Sequence, residues 1–76
     1  MAKIRLQGTG WHDAKPVREL KIGDRIEWNF GYTSVVMNLT PTKTGKQITV
    51  TMKSDETGRI ADRRMGADRL VAIKLS

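Results

Sequence analysis

Apolar and polar residues alternate with a period of two along most of the chain, and no window of about 11 residues places apolar positions at helical spacing, so the pattern predicts an all-β protein. Ile4 and Leu6 alternate with Lys3 and Arg5 in a first short strand that ends at Gly8-Thr9-Gly10. The polar stretch Trp11 to Pro16 reads as a loop, with Pro16 pushing Ala14 and Lys15 toward extended geometry. Val17 and Leu20 are apolar, and Lys21 to Asp24 hold a turn in which Gly23 takes a positive φ cheaply. Ile26, Trp28 and Phe30 then share an inward face, opposite Arg25, Glu27 and Asn29, until Gly31 interrupts the alternation as a bulge or bend. A domain this small can hardly spare two large aromatic side chains, so Trp28 and Phe30 are read as core.

Beyond Gly31, alternation puts Val35, Met37 and Leu39 on one face and turns Val36 outward. Thr40 to Lys46 has the composition of a hairpin loop, with Gly45 at its left-handed position. The next segment is the clearest strand: Ile48, Val50 and Met52 point inward, between outward Gln47, Thr49, Thr51 and Lys53. After a turn at Ser54 to Gly58, residues from Arg59 to Arg64 continue as a strand followed by a short turn, with one helical turn around Ala67 and Asp68 as the alternative. The closing Arg69 to Ser76 reads as a last strand, Val71 and Ile73 on one face and Leu70, Ala72 and Lys74 on the other. About five to six short strands separated by turn residues predict a small SH3-like barrel, a single domain over residues 1–76.

The stretch VRELKIGDRIEWN, Val17 to Asn29, resembles the x-L-x-x-G-D-x-V pattern that leads into a strand in SH3-like barrels of the ribosomal and KOW type and in Hint domains. That resemblance implies a turn into a barrel strand and carries no functional residue. The Hint reading would need a Cys or Ser at the start and an Asn at the end, where this sequence has Met1 and Ser76. As a short basic β protein the chain is also similar to uncharacterised proteins of phages and actinobacteria, which implies a setting and no activity.

Composition narrows the function classes. In 76 residues there are 14 Lys and Arg against 8 Asp and Glu, a net charge of +6, which favours anionic partners: nucleic acid, a nucleotide-type anion or an acidic protein face. Surplus lysine kept for solubility is the plainer explanation of the same charge. There is no cysteine, which excludes disulfides and thiolate metal sites. The apolar runs fall far short of the roughly 20 residues of a spanning helix, and MAKIRLQG lacks the apolar stretch of a signal peptide, so a cytoplasmic protein without membrane contact is expected.

Catalysis has little to work with. His12 is the only histidine, so a nucleophilic triad or a zinc site would lack a second imidazole or any thiol. No P-loop or dinucleotide fingerprint is present, and the expectation is a non-enzymatic protein without cofactor or metal. Binding candidates are more numerous. Trp11, between Gly10 and His12, is either a platform for stacking a base, worth roughly 1–3 kcal/mol per base, or a lid on one end of the barrel. Tyr32 follows the Gly31 break and its face is open. Arg59, Arg63, Arg64 and Arg69 form a cluster whose planar forks suit bidentate phosphate contacts, unless Asp62 and Asp68 tie them up in solvated ion pairs. On a strand Arg59 and Arg63 share a face and Arg64 takes the other; Lys43 and Lys46, with Lys3 and Arg5, extend the field.

Three functions follow as expectations. The first is a nucleic-acid-binding module with a basic face and aromatic stacking. The second is a homo-oligomeric binder that sequesters a nucleotide-type signal between subunits, in a phage setting as an inhibitor of host defence. The third is a protein-interaction accessory or inhibitor that uses exposed apolar residues such as Val36.

Overall fold

The computed structural model describes residues 2–74, which form seven strands: β1 (Ala2–Leu6), β2 (Gly10–Pro16), β3 (Arg25–Glu27), β4 (Thr33–Pro41), β5 (Gln47–Ser54), β6 (Ile60–Gly66) and β7 (Leu70–Ile73). Two 3-10 turns, Val17–Glu19 and Asn29–Gly31, punctuate them. The all-β expectation holds. The strands make one antiparallel sheet in the order β1-β2-β7-β3-β4-β5-β6, which corrects the expected count of about five to six strands and does not close into a barrel. Leu75 and Ser76 of the expected last strand lie outside the described residues.

The additional strand comes from the stretch read as a loop. Gly8 and Gly10, at φ of 84° and 85°, reverse the chain directly after β1, so that Leu6 pairs with Gly10 and β2 runs back from Trp11 to Pro16. Its polar composition hid a true alternation: Ala14 is buried, while Trp11 stands in solvent. Pro16 closes the strand and leads into the first 3-10 turn.

One face of the sheet carries the main core. Ile26, Val36 and Val50 are wholly inaccessible, and Val17, Leu20, Ile48, Met52, Met65, Ala67 and Val71 pack around them. Each fully buried side chain of this size stabilises the fold by roughly 1.5–3 kcal/mol. Val17 and Leu20 are held over the sheet because Val17 N–H donates to Arg69 C=O at 2.9 Å and Arg18 N–H to Ala67 C=O at 3.0 Å.

Four face assignments change, and the first is Val35, which pairs with outward Lys53 and so faces away from the core. Val36 is the inward residue of β4, and Met37 is exposed, because the β4–β5 register shifts between Val36 and Asn38. That bulge moves the alternation by one residue, so Val36 before it and Leu39 after it both reach the core side. Phe30 is 66% exposed and has a φ of 64°: the Asn29–Gly31 turn swings it out of line with Ile26. Glu27 points away from Ile26 as expected, yet it is buried at 8% exposure, since the far face is covered too at this end of the sheet. There β1 approaches β7 across β2, gathering Ile4, Leu6 and Ala72 around a small hollow of about 100 Å3 beside Glu27.

Candidate functional site

Trp28 follows β3 and leans against the edge of the main core, half-buried, with its indole Nε1 donating to Ser34 Oγ at 3.2 Å. Its other flank opens into a cleft of about 340 Å3 lined by Ser34, Met52, Ser54, Arg59, Ala61, Asp62 and Arg63. Register explains the gathering. Val36 pairs with Met52 and Met52 with Ala61, so the core-face residues of β4, β5 and β6 form rows, and the next β6 residue on that face is Arg63. Where the row runs out of apolar residues, a guanidinium covers the aromatic: Arg63 Cζ lies 5.1 Å from the Trp28 ring centroid, within cation–π range.

The rim of the cleft is pinned from β4. Thr33 Oγ1 donates to Asp55 Oδ2 at 2.6 Å, Asp55 N–H donates to Thr33 C=O at 3.0 Å, and Arg25 Nε lies 3.0 Å from Asp55 Oδ2. Ser54 N–H in turn donates to Arg59 C=O at 2.9 Å, which fixes the backbone from which Arg59 enters the cleft. Among the described residues Arg63 and Arg59 take part in no side-chain ion pair. The salt-bridge ladder expected as the alternative does not form: Asp68 pairs with Arg18, and Asp62 accepts a hydrogen bond from Thr51 Oγ1 at 2.6 Å.

The expected site residues thus divide. Arg59 and Arg63 meet at the cleft. Arg64, paired with Thr49, points to the opposite face. Arg69 lies in the β6–β7 turn beside the smaller hollow. Lys43 and Lys46 are exposed in the β4–β5 loop, at the far end of β5 from Arg59, a separation of about 24 Å by the rise of an eight-residue strand. Trp11 is 68% exposed on β2 and Tyr32 is exposed just after the second 3-10 turn, so both are available for stacking. Trp28 was missed as a site residue. Alternation placed it correctly on the core face, but only the pairing of β5 with β6 puts an arginine on top of it.

His12 does not act with Asp13. Its Nε2 lies 3.2 Å from Glu27 Oε2 and 2.8 Å from Thr9 Oγ1, a structural tie between β2 and β3. Burial pushes the Asp24 carboxyl up, but hydrogen bonds from Lys15 Nζ and Lys21 N–H, both at 2.8 Å, and the charges of those lysines outweigh it and hold the group below the usual carboxylate value. Among the described residues no three His, Cys, Asp or Glu side chains converge as a metal site would require, and no helix is long and apolar enough to cross a membrane.

Compared with known proteins, the chain matches no family model, no curated protein and no solved structure. Only its own geometry therefore bears on function.

Proposed function

We propose that the protein is a non-enzymatic binding module for phosphate-bearing ligands, foremost nucleic acid, built on a small SH3-like β scaffold and working in the cytoplasm. The observation that carries this reading is Arg63 in cation–π contact with Trp28, its Cζ 5.1 Å from the ring centroid, beside an open cleft. The cation–π contact restricts the motion of the guanidinium and occupies none of its N–H donors in an ion pair, which leaves them for a bidentate phosphate contact. Arg59 supplies a second fork at the same cleft.

Nucleic acid is favoured over a single nucleotide by the spread of the other groups. Lys43 and Lys46 sit about 24 Å along the sheet from Arg59, a distance that a polyanion with one phosphate per about 3.4 Å of strand spans and a mononucleotide does not. Exposed Trp11 and Tyr32 add sequence-tolerant stacking surfaces. The cleft volume of about 340 Å3 supports a second reading, a nucleotide-type signal held at Trp28, Arg59 and Arg63, because it reaches the lower end of small-ligand pockets.

Anisotropy of labelled single-stranded and duplex oligonucleotides, at low and physiological salt, tests both. Binding with a clear salt slope, weakened about tenfold or more by Arg59→Ala with Arg63→Ala and little by Arg69→Ala, is expected. Saturable mononucleotide binding without oligonucleotide binding would select the second reading. Oligonucleotide binding insensitive to the Arg59/Arg63 double variant would remove the cleft from the site.

A further inference from the structure

The open order of the sheet leaves β6 unpaired along one side, and its backbone geometry is specific about what fits there. Ser54 N–H donates to Arg59 C=O and Ala67 N–H to Lys46 C=O, both at 2.9 Å, which fixes the hydrogen-bonded rungs of the β5–β6 ladder. The alternate residues therefore direct their N–H and C=O groups into β5 at Ala61, Arg63 and Met65, and away from it at Ile60, Asp62 and Arg64. None of the backbone groups of Ile60, Asp62 and Arg64 has a partner from a turn or loop among the described residues. The edge is accessible: every residue from Ile60 to Arg64 is exposed.

We infer that a second copy of this chain pairs with that edge, β6 against β6 and antiparallel, about a two-fold axis at Arg63, and that the two Arg63 side chains then form one shared anion site. Charge chooses this register. Centred at Arg63, it sets Asp62 against the partner's Arg64 twice, as hydrogen-bonded rungs on the same face, so each ion pair coincides with two backbone hydrogen bonds. Centring at Asp62 would set carboxylate against carboxylate, and centring at Arg64 would set guanidinium against guanidinium on that face.

The same register makes the two Arg63 residues a non-hydrogen-bonded pair, with Cα atoms about 4.5 Å apart and both side chains on the core face, where each already lies over its own Trp28. Two guanidinium groups at that spacing repel unless an anion lies between them. Pairing is thus coupled to anion binding, and a phosphate group bridging the two forks completes a site that a single chain holds only by half. This inference rests on the proposed anion-binding role of Arg63 for its ligand, while the edge pairing itself rests on Asp62, Arg64 and the backbone.

Sedimentation equilibrium of the full chain, with and without inorganic pyrophosphate, reads the mass against the 8.6 kDa of one copy. Twice that mass is expected, with a dimer dissociation constant lowered by pyrophosphate. Asp62→Arg alone and Arg64→Asp alone each weaken the dimer about tenfold or more by opposing like charges, and the double variant Asp62→Arg/Arg64→Asp regains it, which a merely misfolded single variant could not predict. In Arg63→Ala the dimer forms without responding to pyrophosphate. A chain that stays monomeric with pyrophosphate, or a dimer indifferent to both charge reversals, overturns the inference. If the monomer still binds oligonucleotides in the anisotropy titration, the edge pairing fails and the proposed function stands. If the charge-swapped dimer forms and no oligonucleotide or pyrophosphate binds, the pairing stands and the proposed function fails.

Discussion

The two ends of the sheet are stabilised by different means. At the β4–β5–β6 end, Val36, Val50, Ile48, Met52 and Met65 close over Ile26 in an apolar layer on one face. At the β1–β2 end the opposite face is covered, and polar contacts join the small apolar patch of Ile4, Leu6 and Ala72: His12 with Glu27 and Thr9, Gln7 N–H donating to Asn29 Oδ1 at 2.9 Å, and Phe30 N–H donating to Gln7 C=O at 2.7 Å. The exposed aromatics Trp11, Phe30 and Tyr32 belong to this second end or its border. Apolar burial is non-directional and tolerates small shifts, whereas a polar corner holds its parts in fixed positions and displays side chains that a core would absorb.

Substitutions can break that contrast at graded cost. Ile26→Ala removes a wholly buried side chain from the apolar layer, and a loss of about 2–5 kcal/mol is expected in urea unfolding, enough to leave a small domain largely unfolded at physiological temperature. His12→Ala takes away the partner of buried Glu27 at the polar end, with an expected loss of about 1–3 kcal/mol; a loss as large as that of Ile26→Ala would show that the two ends share one core.

Phe30 sharpens the comparison in the other direction. A core residue weakens the fold when truncated, but Phe30 is exposed and left-handed, so Phe30→Gly relieves backbone strain and is expected to leave the melting temperature unchanged or raise stability by about 1 kcal/mol. A marked drop in melting temperature would return Phe30 to the core. The aromatic ring also lies over Gly8, where an added Cβ would meet Phe30 Cδ1 at 2.9 Å, so the glycine is required by close approach as well as by its φ.

The smallest effect belongs to the clamp between the ends, Lys15 of β2 on Asp24 before β3, at 2.8 Å. Asp24 titrates below its unfolded value, so its contribution is present above the unfolded carboxylate pKa and disappears as the pH falls through the lower folded value. Asp24→Asn is expected to cost at most about 1 kcal/mol at neutral pH, and the difference from wild type should shrink below about pH 4 in denaturation midpoints. A difference that stayed constant down to low pH would make the asparagine a packing defect and the ion pair incidental.

The sequence by itself determined the class of structure, because period-two alternation and turn glycines are local properties. Ile48, Val50 and Met52 point inward as the pattern predicts, and Gly23, Gly45 and Gly58 take the positive φ that their turns need. The split of Arg63 from Arg64 was equally legible, since neighbours on a strand face opposite ways. Only the tertiary structure decided the rest. A bulge at Met37 depends on how β4 meets β5, and it alone sends Val36 inward. Whether the far face of a strand meets water or a second layer depends on the curl of the whole sheet, so Glu27 and Ala14 became buried, Glu27 against His12. Trp28 and Arg63 lie far apart in the chain and come together only through the ladder from β3 to β6. Alternation says which side a residue faces; what stands on that side is set by pairing across the sheet, which no local pattern encodes.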